Sequence, residues 1–231
     1  RLIQTINYWP ENTVFVSVVD PGVGSDRKSV VVRTNSGRYI VTPDNGTLTH
    51  VIRLEGIAEA REIDEHVNRL PRSGESYTFH GRDVYAYTGA RLACGIIDFE
   101  GVGPELDVNS LVSLPIVEPV LDGNAVCGTI DVLDVRFGSL WTNIPRTLFL
   151  ETGIRYGDRV SITIENDTRI VYRNIILFAR SFADVYVGEA LAYVNSLDCV
   201  AVAINQGSFA RAYNIGTGNS WRIRIEPFRG F

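Results

Sequence analysis

The sequence runs Val14-Phe-Val-Ser-Val-Val19 and then breaks at once into Asp20-Pro-Gly-Val-Gly24. A nearly continuous, β-branched apolar run of this kind predicts a strand buried on both faces of a mostly parallel sheet. In open α/β sheets ligands bind beyond the carboxyl ends of the strands, so the loop at Asp20 is a candidate functional site. An aspartate that only caps a turn fits this pattern equally well.

The segments around this run alternate between strands and helices. Ser29–Arg33 and Arg38–Val41 flank Asn35-Ser-Gly37, which is typical of a hairpin turn. Small residues recur at helical spacing over Arg82–Gly95, which predicts a helix that packs closely on a sheet. We therefore expect an α/β N-terminal domain over residues 1–112, with a central, mostly parallel sheet.

The second half of the chain has a different pattern. Prolines and short polar residues interrupt regular patterning over residues 113–119, which indicates a linker. Beyond it, alternation at period two dominates, and Val160–Ile164 and Arg169–Tyr172 flank a polar turn as a hairpin. Residues 120–231 are therefore predicted to form an all-β C-terminal domain that is antiparallel and barrel-like.

Composition narrows the class of protein. The 231 residues are 45% hydrophobic and 21% charged, which is ordinary for a folded globular protein. The net charge of −5 argues against a non-specific nucleic-acid binder, which needs a basic surface, and favours a small-molecule partner. No apolar run approaches the roughly 18 residues of a membrane helix, so we expect no membrane partner and a cytoplasmic protein. The three cysteines lack metal or redox spacing and are predicted to be buried free thiols.

Three polar clusters follow predicted strands and contain glycine, which lets a backbone approach a ligand closely. They are Asp20–Arg27, Pro43–Gly46 and His80–Asp83. Taken singly, His80 also fits a hydrogen-bonded interior histidine, and Arg27 fits a surface cation.

One string in the β half is unusual, Asp134-Val-Arg-Phe-Gly-Ser-Leu-Trp-Thr-Asn-Ile144. Phe137 and Trp141 are suited to stacking on a flat heterocycle while the Asp134 carboxylate binds an ammonium group. The alternative is that both aromatics are ordinary core residues of a sheet.

Together these strings resemble one family, the S-adenosyl-L-methionine (SAM) hydroxide adenosyltransferases, which are related to the SAM-dependent fluorinase and chlorinase. The matching strings are Val19–Ser25 with Arg27, Thr42–Gly46, Phe79–Asp83, Phe137-Gly138 with Trp141–Ile144, Phe182, Asn195-Ser196 and Ala203–Gly207. Because they occur in family order from about Asn12 to the C-terminus, the resemblance covers both halves.

The resemblance implies hydrolysis of SAM at ribose C5′ by water, giving adenosine and L-methionine, with no metal or redox cofactor. It places the water-holding aspartate, arginine and histidine at Asp20, Arg27 and His80, and leaves open which of them accepts the proton. It also implies a homotrimer with active sites between subunits. Family members further have a preceding strand and a ribose-binding acidic segment that this sequence does not contain.

The resemblance also separates water from halide as the nucleophile. The fluorinase has a tyrosine where this chain has Asp20, and a carboxylate there repels a desolvated halide strongly in a low-dielectric pocket. Gly81, however, is similar to the glycine of the chlorinase. A chlorinase of the same fold and a catalytically inactive SAM- or adenosine-binding module therefore stay as alternatives.

For the substrate, the resemblance implies a binding set of eight residues. They are Gly81, Asp134, Phe137, Ser139, Trp141, Phe182, Asn205 and Gln206. It implies that Asp134 binds the methionine ammonium while Phe137 and Phe182 contact the adenine. Two positions depart from relatives, because Ser139 replaces an asparagine and Leu197 replaces an arginine that helps bind the methionine carboxylate in the fluorinase.

Overall fold

The structure, a computed structural model, describes residues 2–230. The chain divides into two compact units, Arg1–Pro115 and Ile116–Phe231. Within residues 2–230, none of the helices is both long enough and apolar enough to cross a membrane.

The first unit is built on one sheet. Its strands are β1 (Val14–Val16), β2 (Ser29–Thr34), β3 (Tyr39–Pro43), β4 (Ile57–Glu62) and β5 (Glu105–Leu106), in the spatial order β1-β3-β2-β4-β5. Its helices are α1 (Thr49–Leu54), a π-helical segment (Gly81–Ala86) and α2 (Tyr87–Ala93), with short 3₁₀ turns at Leu2–Gln4, Ile6–Tyr8, Glu100–Val102 and Val108–Ser110. The unit is therefore α/β, as predicted.

The direction of the strands differs from the prediction. Only β1 and β3 pair in parallel, whereas β2 pairs antiparallel with β3 and β4, and β4 pairs antiparallel with β5. The prediction of a mostly parallel sheet is wrong for the described residues, because the tight turn between β2 and β3 reverses the chain. The continuous apolar run of β2 is explained by burial on both faces rather than by parallel pairing. Val30 and Val32 pack in one core cluster, and Val31 packs in a second on the opposite face of the strand.

The run Val14–Val19 also differs from its prediction. Only Val14–Val16 is strand, and Val16, Val18 and Val19 are 44%, 39% and 70% exposed. The expected burial on both faces is therefore wrong. Close packing of the following helix is confirmed, since a Cβ at Gly89 of α2 would lie 2.5 Å from a Val16 methyl.

The second unit is a barrel with one added strand. Its strands are β6 (Val120–Asp122), β7 (Ala125–Leu133), β8 (Leu140–Pro145), β9 (Arg159–Asn166), β10 (Arg169–Phe178), β11 (Ala190–Val194), β12 (Cys199–Ile204) and β13 (Gly218–Pro227). Seven of them close in the order β13-β9-β10-β11-β12-β8-β7, with β7 pairing back to β13, and β6 extends β7. The short helices are α3 (Arg146–Leu150) and α4 (Phe209–Tyr213), with a 3₁₀ turn at Phe182–Asp184.

The barrel is confirmed, but it is mixed rather than purely antiparallel. The predicted hairpin is present as β9 and β10, whereas β10 and β11 pair in parallel, Leu177 opposite Leu191. A parallel pair needs a crossover connection, and the segment between Phe178 and Ala190 supplies it. The cysteines are free, but Cys94 is exposed and Cys127 and Cys199 are half-buried, so their predicted burial is wrong.

Candidate active site

Asp20, Arg27 and His80 meet in the first unit. Arg27 Nε donates to Asp20 Oδ1 at 2.8 Å, and Arg27 Nη2 donates to Asp20 Oδ2 at 2.5 Å. The same Nη2 lies 3.0 Å from His80 Nδ1. The side chains of Arg27 and Asp20 are only 10% and 6% exposed, and His80 is 5% exposed. Residues separated by up to 60 positions thus form one buried cluster, so the surface-cation alternative for Arg27 is wrong.

The Pro43–Gly46 cluster makes hydrogen bonds to two other segments of the first unit. Asn45, in the predicted Pro43–Gly46 cluster, donates from Nδ2 to the carbonyl of Val19 at 2.8 Å, directly before Asp20. Asp44 is buried and accepts from the Val112 amide at 2.9 Å, and burial raises the pKa of its carboxyl group. Asn45 therefore supports the Asp20 loop by a hydrogen bond to the backbone carbonyl of Val19.

A buried hydroxyl pair extends the cluster beyond the residues expected from the sequence. Arg27 Nη1 donates to Ser29 Oγ at 3.0 Å, and Ser29 Oγ lies 3.1 Å from Tyr85 Oη. Tyr85 Oη donates to Asp20 Oδ2 at 3.5 Å. Burial raises the pKa of Tyr85 to about 12, so its phenol stays a neutral hydrogen-bond donor. Tyr85 lies in the predicted helix five residues after His80, and this proximity in sequence could have indicated that it belongs to the same site.

His80 has a second arginine on its other side, which the sequence did not indicate. Arg69 Nη2 lies 3.1 Å from His80 Nε2, and the same guanidinium pairs with Glu65 and lies 5.2 Å from the Tyr77 ring centroid. Burial lowers the pKa of His80, and the positive charges of Arg27 and Arg69 lower it further. The negative charges of Glu65 and Asp20 act in the opposite direction, but the pKa is lowered overall. Arg69 lies outside every matched string, in a segment without periodicity.

Gly81 begins a π-helical segment directly after His80. Such segments are rare and occur frequently at functional sites. A Cβ at Gly81 would meet Val18 at 3.6 Å, which is ordinary contact, so packing within the described chain leaves room for a side chain here.

A cavity of about 700 Å³ opens in the second unit, a volume in the range of small-molecule sites. Every predicted binding residue of this unit lines it: Asp134, Phe137, Ser139, Trp141, Phe182, Asn205 and Gln206. Phe137 is 70% exposed and Phe182 37% exposed, so aromatic faces stay accessible at the cavity. The alternative of ordinary core aromatics is therefore wrong for Phe137.

The loop that carries Phe137 requires glycine at position 138. Gly138 has φ +70°, and a Cβ there would lie 2.1 Å from Ser208 Oγ. The Gly138 amide donates to the Asp134 carbonyl at 2.6 Å, and its carbonyl accepts from Ala210 at 3.1 Å. Close backbone packing thus fixes the Asp134–Ser139 loop against the start of α4.

Several lining residues were not assigned from the sequence. Asn195 is 8% exposed, and its Oδ1 accepts from the amides of Leu197 and Cys199 at 2.9 and 3.2 Å. Its Nδ2 is buried and has no hydrogen-bond partner within residues 2–230. Asn195 and Ser196 form one of the matched strings, and this match could have indicated that they line the cavity. Arg136 and Arg211 also line the cavity, whereas Leu197 does not.

Chemically, the two units offer different functions. The cluster of the first unit can orient a small polar nucleophile through a carboxylate and an imidazole. The cavity of the second unit can bind a flat, polar ligand by stacking and by charge. In the described part of the chain, no group of three or more His, Cys, Asp or Glu residues is placed to hold a metal ion.

Comparison with known proteins gives concordant matches. Residues 1–103 match the family described as SAM hydroxide adenosyltransferase N-terminal domain, and residues 128–222 match the C-terminal domain of the same family. The chain is 31% identical to a fluorinase from Nocardia brasiliensis, over 97% of this chain and 80% of that protein. It is 34% identical to the (R)-S-adenosyl-L-methionine hydrolase of Salinispora arenicola, over 96% and 78%. An uncharacterized conserved protein from Thermotoga maritima has a similar structure, with a TM-score of 0.83 and 34% identity over 97% of this chain and 81% of that one.

Proposed function

This chain belongs to the SAM hydroxide adenosyltransferase family, and we propose that it hydrolyses SAM at ribose C5′ to adenosine and L-methionine. The observation that carries this proposal is the buried contact of Asp20, Arg27 and His80, which a water-handling site needs.

The proposed chemistry makes modest demands on the protein. The oxygen of water attacks C5′, the C5′–sulfur bond breaks, and its electron pair stays on sulfur, so methionine leaves as a neutral thioether without acid catalysis. The protein must align the water and accept its proton. We assign Asp20 to orient or deprotonate the water, Arg27 to hold the Asp20 carboxylate, and His80 to complete the hydrogen-bonding set.

The cavity of the second unit is the proposed place for the substrate. Phe137 and Phe182 would contact the adenine, and the Asp134 carboxylate would bind the methionine ammonium group, with Trp141 nearby. Ser139, Asn205 and Gln206 are proposed to hydrogen-bond the adenine edge. The backbone of Gly81 is proposed to lie near the methionine ammonium group. Accessible aromatic rings and an acid in one cavity support this assignment.

A halide is the alternative nucleophile: relatives of comparable identity include fluorinases, and Gly81 resembles the glycine of the chlorinase. The Asp20 carboxylate favours water, because it can accept a hydrogen bond from water whereas it repels an anion beside it, although the paired Arg27 offsets part of its charge.

We also propose a homotrimer whose active sites are shared between subunits. Its support is the family resemblance. Mixing Asp20→Asn subunits with Asp134→Ala subunits tests it, because activity returns on mixing only if one site draws residues from two chains. Light scattering of the unmixed protein gives the oligomeric state independently.

The test of the reaction is product analysis in ¹⁸O-labelled water, with and without added chloride or fluoride. Hydrolysis at C5′ places ¹⁸O in the 5′-hydroxyl of adenosine, whereas halogenation gives a 5′-halo-adenosine. Binding of SAM without turnover would identify a binding module instead and would refute the proposed reaction.

Asp20→Asn is expected to retain SAM binding and to lose turnover by about 10² to 10⁴-fold, the usual range for general base catalysis. Asp26→Asn is the matched control, since Asp26 is an exposed acid of the same loop. Equal turnover in the two variants would remove Asp20 from its assigned role.

A further inference from the structure

We propose that Arg69 is a positioning residue for this reaction, which holds His80 neutral and in a fixed orientation from the side opposite Arg27. The inference rests on the proposed function for its catalytic meaning. The arrangement of Arg69, His80 and Arg27 is independent of that function.

The two ring nitrogens of His80 face two different guanidinium groups. Arg27 Nη2 lies 3.0 Å from Nδ1, and Arg69 Nη2 lies 3.1 Å from Nε2. Each of these Nη2 atoms also donates to a carboxylate, that of Asp20 or that of Glu65. The imidazole therefore lies between two arginines, one at each ring nitrogen, and each arginine is paired with its own acid.

Counting protons explains why the ring stays neutral. A guanidinium group donates hydrogen bonds and accepts none, while a protonated imidazole carries N–H on both nitrogens. Imidazolium would thus place N–H against N–H at both contacts, next to two positive charges. Neutral imidazole keeps one lone pair, which accepts from one of the two arginines. The arrangement itself therefore disfavours protonation of His80.

The charges around His80 balance only in this state. The charged groups that face His80 come from two segments. Asp20 and Arg27 lie in the loop between β1 and β2, and Glu65 and Arg69 lie in the segment after β4. The titratable ring of Tyr77 lies with its centroid 6.1 Å away, and Asp83 follows in the π-helical segment, where its carboxylate is paired with Arg82 at 2.6 Å. The two arginines compensate Asp20 and Glu65, so a neutral His80 adds no positive charge to a site that is proposed to accept a sulfonium cation.

Arg69 is placed to exert this effect because it is enclosed. Its side chain is 11% exposed, and its guanidinium lies over the Tyr77 ring at 5.2 Å. A charge interacts more strongly with its neighbours in such a poorly solvated position than at the surface. Its partner Glu65 is 34% exposed, so water screens the acid more than the arginine.

The test is a pH titration of the histidine side chains by NMR on the full chain labelled with ¹⁵N-histidine. The sequence has only three histidines, His50, His66 and His80, so the His80 signals can be assigned with the variant His80→Gln. Arg69→Gln is expected to raise the pKa of His80, because it removes a positive charge and leaves Glu65 nearby. Glu65→Gln is expected to lower it, because it removes the acid that favours imidazolium.

Arg33→Gln is the matched control. Arg33 and Glu59 form an ion pair across strands β2 and β4 of the first unit, and Arg33 does not contact His80. It should leave the His80 titration unchanged. An unchanged titration in Arg69→Gln, or shifts of the same sign in Arg69→Gln and Glu65→Gln, would overturn the proposal. Should Arg69→Gln fail to fold, the sign of the Glu65→Gln shift decides.

Kinetics then separate this proposal from the proposed function. The acidic limb of kcat/KM for SAM hydrolysis should move to higher pH in Arg69→Gln, and Arg69→Lys, which keeps the charge, should return it toward the wild-type position. A limb that moves equally in both variants would assign Arg69 a merely structural role and refute the proposal. Histidine shifts of the expected signs in a protein that forms no adenosine would support the Arg69 contact while refuting the proposed reaction.

Discussion

Arg27 and Asp20 form a bidentate ion pair in which both side chains are at least 90% enclosed. Two parallel N–H···O contacts fix the carboxylate plane, which is the geometric advantage of arginine over lysine. The pair also links to His80 through Arg27 Nη2 and to Ser29 through Arg27 Nη1. Arg27 therefore connects the carboxylate to the other polar groups of the cluster.

Removing the arginine should destabilise the fold as well as the site. Arg27→Ala leaves Asp20 buried without its cation, and we expect the free energy of unfolding to fall by about 3 kcal/mol. Urea denaturation measures this difference. Arg33→Ala is the control, because the Arg33–Glu59 pair is 38% and 43% exposed and should contribute at most about 1 kcal/mol. Similar losses in both variants would contradict the enclosure of the Arg27–Asp20 pair.

The lowered pKa of His80 predicts a pH dependence of stability. The pKa of His80 in the folded state lies below its ordinary value of 6.5, so between these two values the unfolded chain binds more protons. The contribution of His80 is therefore fully present above pH 6.5 and is lost as the pH falls from there toward the folded-state pKa.

His80→Asn removes this dependence, and the difference in unfolding free energy between wild type and variant should narrow as the pH falls below 6.5. Urea denaturation at a series of pH values measures it. A difference that is constant or widens over this range would mean that the pKa of His80 is not lowered by folding. The comparison cancels the other titrating groups, which are shared by both proteins.

Gly138 offers a test of the cavity loop. In Gly138→Ala the new Cβ would lie 2.1 Å from Ser208 Oγ and 2.5 Å from Ser208 Cα, at a φ of +70°. The loop must shift, so we expect weaker binding of adenosine by calorimetry together with a loss of stability. Gly123→Ala is the matched control, since Gly123 has φ +63° and nothing within 4 Å. It should cost about 1 kcal/mol of stability through the backbone alone and leave adenosine binding unchanged. Equal binding by the two variants would show that the loop does not shape the ligand site.

Asn195 offers a test of the buried amide that lines the cavity. Asn195→Asp keeps an oxygen for the amides of Leu197 and Cys199, so the turn is preserved, but it removes the donor Nδ2. We expect the affinity for neutral adenosine to fall by about 1 to 2 kcal/mol, on the order of tenfold. Asn214→Asp, at an exposed position after α4, makes the same charge change outside the cavity and should bind normally. Unchanged adenosine affinity in Asn195→Asp would mean that Asn195 Nδ2 does not donate to adenosine.

The β9–β10 hairpin and the small-residue helix that ends in α2 could be predicted, because side-chain periodicity and turn residues report local geometry. The Asp20–Arg27–His80 set could be named only from the resemblance. Its members lie in two separate strings, Val19–Ser25 with Arg27 and Phe79–Asp83, and neither string alone distinguishes a ligand-binding residue from a capping or surface residue. The β2–β3 hairpin was predicted from its turn residues and is confirmed. The direction of the other strands in the first unit could not be predicted, because an apolar run reports that both faces of a strand are covered but not how its neighbours run.

The sequence by itself determined the two-part organisation into α/β and β halves, the barrel strands, and the family to which the chain belongs, because these depend on local patterns and on strings read in order. The tertiary structure alone decided that β4 pairs antiparallel with β2 and β5, that Tyr85 joins Ser29 and Asp20, and that Arg69 faces His80 opposite Arg27. Those contacts join segments that are far apart in the sequence. Their side chains meet through the folded path of the backbone, which no local pattern encodes.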